Sequence, residues 1–248
     1  MGQHFKILTA CRNVEEWIAR SVQSVQDQTY DDWQAIIIND CSTDRTWQIL
    51  QEQVGSSDKY LLVQNKQRKY KLHNFVDTLL SVQPAQEDVL IILDADDWFY
   101  DENVLGYLAE IYKNPDIWIT WGSYINFSNR KVGAARKIPK KWSIRTGSPS
   151  IFTHLKSFKY FLWQSIKDED FRTSWSNEYY ITSDDNAFMR PMIEMAGSDH
   201  RKFIDRILYV YNDTNPLSDM RVNLELQLRC SYDIKRKPPY SQISKLVS

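Results

Sequence analysis

The sequence predicts an α/β domain built on a mainly parallel sheet. Three observations carry that expectation. Short apolar runs such as Ala35-Ile36-Ile37-Ile38 and Val89-Leu90-Ile91-Ile92-Leu93 have the composition of strands covered on both faces. Amphipathic helical stretches separate them, and repeated strand–helix–strand units imply right-handed parallel crossovers. Polar loops follow the runs at residues 10–13, 39–44 and 94–98, which is where ligands bind in such sheets.

In order, Phe5 to Ala10 reads as the first strand, and Val14, Trp17, Ile18, Val22 and Val25 recur at helical spacing. After the Ala35–Ile38 strand, Asn39-Asp40-Cys41-Ser42-Thr43-Asp44 suits a turn with Ser42 or Thr43 as helix N-cap. Trp47, Ile49, Leu50 and Val54 form that helix. Tyr60 to Val63 is a third strand, and Leu72, Phe75, Val76, Leu79 and Leu80 make a helical face. The Val89–Leu93 strand is the fourth, and a helix opens after Asp101 through Leu105, Leu108 and Ile111. Ile117 to Phe127 reads as one or two strands, and residues 128–150 as a basic loop with Gly133, Pro139, Gly147 and Pro149, able to close over a ligand. Leu155, Phe158, Phe161, Leu162 and Ile166 are spaced as a helix, another runs from Asp184-Asp185 to Gly197, and Phe203 to Tyr211 reads as a strand. Lys235 to Tyr240 reads as a solvated tail whose basic and aromatic residues suit peripheral contact with a membrane or partner.

The chain of 248 residues, 42% hydrophobic and 25% charged, suits a single globular domain spanning residues 1–248. A formal net charge of -1 gives no general footprint for nucleic acid. Cys11, Cys41 and Cys230 are too few and too scattered for a disulfide framework, and buried free thiols in a reducing, cytoplasmic compartment are the expectation. No leader pattern precedes the first strand, and no apolar run reaches the roughly 18 residues of a membrane span. Ser244-Lys245-Leu246 is not C-terminal and is no peroxisomal address. His4, His73, His154 and His200 show no metal-ligand spacing, and glycine-rich phosphate loops are absent.

The chemistry concentrates in acidic clusters. Asp94-Ala95-Asp96-Asp97 puts three carboxylates within four residues. Like charges that close repel unless a cation joins them, and Mg²⁺ or Mn²⁺ prefers such oxygens; a solvated capping turn would use the same residues. Asp40 can accept from a base or ribose, or simply build its turn. Asp184-Asp185 can favour a helix N-terminus or supply a general base. Trp98 and Trp175 are candidates to stack on a sugar, against a core role.

Ala10-Cys11-Arg12-Asn13, Gln28-Thr29-Tyr30, Ile38-Asn39-Asp40-Cys41-Ser42-Thr43-Asp44-Arg45-Thr46 and Leu93-Asp94-Ala95-Asp96-Asp97 resemble, in order and spacing, the motifs of family 2 glycosyltransferases of the GT-A fold. The resemblance covers residues 5–112 well and residues 128–248 loosely. It implies a three-layer sandwich with a mainly parallel mixed sheet, residues 1–115 binding the nucleotide sugar and residues 116–248 the acceptor. It implies a UDP-sugar donor, an inverting transfer to a hydroxyl of a glycan, glycolipid or glycoprotein, and Mn²⁺ or Mg²⁺ on the diphosphate. Asp40 and Arg68 would contact the base, with Ala10, Arg12, Asn13 and Glu15 around the nucleoside. Asp96 would hold ribose and sugar with Asp94 in support, and Asp97 together with Asp96 would hold the metal. Asp185 would be the catalytic base, with Asp184 an acceptor contact or the alternative base.

The sequence departs from the family pattern in places. Ala10 stands for the common proline, Arg12 for tyrosine and Asn39 for the first turn aspartate. Where many relatives carry a further histidine, this chain reads Tyr211-Asn212-Asp213-Thr214-Asn215, leaving Asp213 as the substitute ligand. Two other classes compete with the glycosyltransferase. A sugar nucleotidyltransferase would carry a glycine-rich signature that residues 8–14 lack. A degenerate, non-catalytic sugar-nucleotide-binding domain would not need Asp40, Asp96, Asp97 and Asp185 together.

Overall fold

A computed structural model describes residues 2–139, 142–148, 151–216 and 223–244; Pro149 and Lys245-Leu246 lie outside them. The first half follows the predicted alternation: β1 (Phe5–Cys11), α1 (Ile18–Gln26), β2 (Trp33–Asn39), α2 (Thr46–Val54), β3 (Tyr60–Gln64), α3 (Lys71–Val82), β4 (Val89–Ile92), β5 (Trp98–Phe99) and α4 (Val104–Tyr112). The second half adds β6 (Ile119–Gly122), β7 (Tyr124–Asn126), β8 (Thr153–Lys159), α5 (Tyr160–Gln164), α6 (Asp184–Ala196), β9 (Arg201–Phe203), β10 (Tyr209–Tyr211) and α7 (Leu224–Arg236).

Seven strands form the central sheet in the order β3-β2-β1-β4-β8-β6-β9. Strands β1 to β4 are parallel, and β8 runs antiparallel to both its neighbours. The chain leaves β1 in one direction through β2 and β3, then returns to place β4 on β1's other side. That reversal makes a crevice at the carboxyl ends of β1 and β4. A small sheet, β5-β10-β7, sits beyond it.

Alternation along each strand explains the layers. Ile36 and Ile38 face α3 and α6, in one core with Leu8, Leu90, Ile92, Phe75 and Phe188. Ala35, Ile91 and Phe5 face α4, while Ile37 meets Ile18, Val22 and Leu50 of α1 and α2. Helices thus cover both faces, as the unbroken apolar runs require.

Several expectations need correction. The predicted helix over Leu155–Ile166 is split between the end of strand β8, through Lys159, and the short helix Tyr160–Gln164. The inner residues of β8 are buried on both faces, and two are lysines: Lys156 and Lys159 each expose 2%. The predicted Phe203–Tyr211 strand is two strands in different sheets. α2 starts at Thr46, after Arg45, and neither Ser42 nor Thr43 caps it. Instead Asp44 Oδ1 accepts from the Thr46 amide at 3.0 Å. Cys41 is only half-buried, unlike Cys11 and Cys230. The expected solvated tail begins inside α7 and then docks: Tyr240 packs on the core and its amide donates to Glu194 at 3.0 Å. The basic loop is likewise anchored at residues 143–147, where Arg190 donates to the carbonyls of Arg145 and Gly147 at 3.0 and 2.9 Å.

Candidate active site

The crevice is built from loop ends. After β1, Asn13 takes a positive φ of 52° and clamps the next loop: its Oδ1 accepts from the Thr43 amide at 2.8 Å. Glu15 does the same for the Arg45 amide at 2.8 Å. These two residues therefore tie loop to loop, and Ala10 and Arg12 face the cavity.

Asp40, at the end of β2, is nearly saturated. It accepts from Asn65 Nδ2 and from the Lys69 and Tyr70 amides, each at 2.8 Å. Burial opposes its charge, but these bonds outweigh it and hold the carboxyl below its ordinary range. The Asn74 side chain, on the same cavity, also holds this carboxylate down. Arg68 lies over the Tyr70 ring at 4.0 Å. Asp40, Arg68, Tyr70, Asn74, Ala10 and Arg12 line a cavity of about 170 Å³.

That cavity adjoins a second, of about 340 Å³, over the acidic run. Asp97 is 1% exposed; Tyr209 Oη and the Asn212 amide both donate to it at 2.7 Å. Burial, then the charges of Asp96 and Asp94, push its carboxyl well above the ordinary range. A bound cation would remove both penalties. Asp96 lines the same cavity and accepts from Asn215 Nδ2 at 2.7 Å.

Asp94, Asp97 and His154 present ligand atoms that all lie within 4.8 Å of one another. His154 was not legible as a ligand in the sequence. The register of β8 against β4 puts it there: Ile92 pairs with Lys156, so His154 falls level with Asp94. Burial, then Lys156, lower its pKa to about 3, so the imidazole is neutral, the form that ligates metals. Two carboxylates and a neutral imidazole fit a divalent cation. Asp213 instead accepts from the Ser128 amide at 2.9 Å.

Asp184 and Asp185 open α6, facing the same cavity. Two cations meet them, Lys156 buried and Lys71 half-buried. Lys71 lies 3.0 Å from Asp184, 3.3 Å from Asp185 and 3.1 Å from Asp94. Lys156, from β8, pairs with Asp185. Burial raises Asp185, but Lys156 and Lys71 outweigh it and hold the carboxyl far below its usual range. Asp184 is pushed up to about 6, chiefly by burial. Neither lysine stood out in the sequence; a cation is expected to accompany buried carboxylates, but not from which strand. On the far side, Asp185 borders a third cavity of about 420 Å³, lined by Tyr124, Phe152, Tyr211, Asn186 and Gln227. Trp98 is core: it is 5% exposed, with the Arg20 guanidinium 3.7 Å from its ring centre.

The chain covers 88% of its own length and 86% of EpsE of Bacillus subtilis (strain 168), which carries a glycosyltransferase designation, at 25% identity. It is 31% identical to TuaG of the same organism, named for teichuronic acid biosynthesis, over 42% of this chain and 41% of that one. In fold it resembles the crystal structure of Staphylococcus aureus TarS 1–349, with TM-score 0.63, 17% identity, and coverage of 85% of this chain and 60% of that one. A TarS fragment has been solved with UDP-GlcNAc. The mannosyltransferase PcManGT of Pyrobaculum calidifontis, solved with GDP-Man and Mn²⁺, matches with TM-score 0.59 at 14% identity, over 85% of this chain and 57% of that one. This chain therefore spans about 60% of those solved chains, a likeness of fold. The model of glycosyl transferase family 2 matches residues 6–194, so the crevice between β1 and β4 is that of a GT-A enzyme fold and the chain belongs to glycosyl transferase family 2.

Proposed function

We propose that the protein transfers a sugar from a UDP-sugar to a hydroxyl of a glycan, lipid-linked glycan or glycoprotein, inverting the anomeric carbon. The observation that carries this is the order of three adjoining cavities: Asp40 and Arg68, then Asp94, Asp97 and His154, then Asp185. They match, in sequence, a nucleoside, a diphosphate and an acceptor.

Arg68, over Tyr70, presents a cationic plane to the base, and Asp40, lining the same cavity, takes a base or ribose donor. Asp96 serves the ribose and sugar. Asp94, Asp97 and His154 would hold Mn²⁺ or Mg²⁺, which when bound neutralises charge growing on the leaving diphosphate. Lys71 lies among the same carboxylates and adds a fixed positive charge.

Asp185 is the better general base of the pair. It borders the acceptor-side cavity, whereas Asp184 borders the nucleotide side. Lys156 and Lys71 keep it ionised, and a carboxylate held so low is a weak base while they stay paired with it. Its basicity rises as the acceptor hydroxyl and the sugar displace those pairings, and attack proceeds opposite the leaving group. Asp185→Asn should retain UDP binding and lose transfer by about a hundredfold or more. Full transfer by that variant would move the base to Asp184.

A further inference from the structure

The outer face of α7 gathers several of the large exposed hydrophobic side chains of the described residues. Leu224, Leu228 and Tyr232 recur every four residues and therefore share one face. They expose 56%, 62% and 63%, so the helix carries an apolar stripe in water. Its inner face, Cys230 and Ile234, is buried at 1% each. Trp175, 40% exposed, lies beside the stripe, with the Arg229 guanidinium 4.1 Å from its ring centre. Arg236 similarly stands 5.5 Å from the Tyr232 ring.

Cations accompany this stripe. Arg229 and Arg236 are exposed on one flank, and Lys235 is partly exposed beside Tyr232. Of the two acidic residues on α7, Asp233 is turned inward, accepting from the Ser174 amide at 2.9 Å and from Tyr180. Glu225 alone is exposed. On the other flank, Gln227, Leu228 and Ser231 line the cavity that holds Asp185.

We propose that this face docks on an anionic lipid surface, so that the acceptor cavity opens at the membrane. The consequence for the acceptor, that it is lipid-linked, rests on the glycosyltransferase reading; the docking itself does not. An amphipathic helix with aliphatic and aromatic residues outward and arginines at its edge lies in the headgroup region. Arginine and lysine stems follow the apolar surface while their heads reach lipid phosphates, and tryptophan and tyrosine favour that interface. Charge selects this occupant over a second copy of the chain, which would bring one cationic face against another.

The test is co-sedimentation of the intact protein with vesicles of phosphatidylglycerol and phosphatidylcholine, without donor or metal. Binding should appear with phosphatidylglycerol, fall as salt is raised, and be absent with phosphatidylcholine alone. Arg229→Gln with Arg236→Gln, and separately Leu224→Gln with Tyr232→Gln, should each weaken it by about tenfold or more. Circular dichroism identifies any variant that fails to fold, in which case the other pair decides. No binding by the parent, or equal binding by both folded variants, overturns the proposal. So does a dimer in sedimentation that the Leu224/Tyr232 pair disperses, which would assign the face to a second copy. UDP-sugar hydrolysis by the same samples reports the catalytic reading independently.

Discussion

At the scale of single residues, the site is an exercise in neutralising buried charge. Asp94, Asp97, Asp184 and Asp185 crowd one crevice, and Lys71 and Lys156 stand among them. The two carboxylates of α6 are driven apart by these neighbours. Asp184, pushed up to about 6, binds its proton more tightly folded than unfolded, where the ordinary value is about 3.9. Its contribution to stability is thus full below about pH 4 and is lost as pH rises through about 6. Asp184→Asn, uncharged throughout, should match the parent near pH 4 and exceed it by about 2–3 kcal/mol above pH 7. Thermal unfolding across that range checks this, and parallel curves would mean that Asp184 is not strained by burial. The sequence shows the acidic residues because they cluster locally. It hides Lys156 and His154, which reach the site only because β8 returns antiparallel beside β4.

At the scale of elements, legibility tracks how local the stabilising partners are. β2 and β4 announce themselves as apolar runs covered on both sides. β8 does not, because Lys156 and Lys159 break its pattern. Lys159 is satisfied by Glu87 at 2.8 Å and the Pro115 carbonyl at 3.0 Å, both distant in sequence. α7 is illegible as a wall of the cavity beside Asp185 for the same reason. The basic loop taken as a lid is, over residues 143–147, a clasp on α6. Arg145 Nε donates to Glu194 Oε1 at 3.0 Å, with side chains only 8% and 7% exposed. Removing one partner of such a pair strands a buried charge. Arg145→Met should cost about 3–5 kcal/mol in urea unfolding. A cost under about 1 kcal/mol would mean that the clasp does not hold the loop.

At the scale of the whole molecule, function follows from one topological event, the chain's return to place β4 beside β1. It sets the loops after β1, β2 and β4 around one crevice, and antiparallel β8 closes its far side with His154 and Lys156. The four ordered motifs make the first half readable, since their spacing reflects that parallel alternation. The second half is readable only in outline, because the cavity beside Asp185 is assembled from β7, β8, α6, β10 and α7 together. The central claim is that Asp97, with Asp94 and His154, couples a divalent cation to the nucleotide diphosphate. Calorimetric titration of UDP with and without Mn²⁺, on the parent and on Asp97→Ala, tests it most directly. Mn²⁺-dependent binding is expected of the parent and none of the variant; equal affinity in the two proteins, with or without the metal, would remove Asp97 from the metal site.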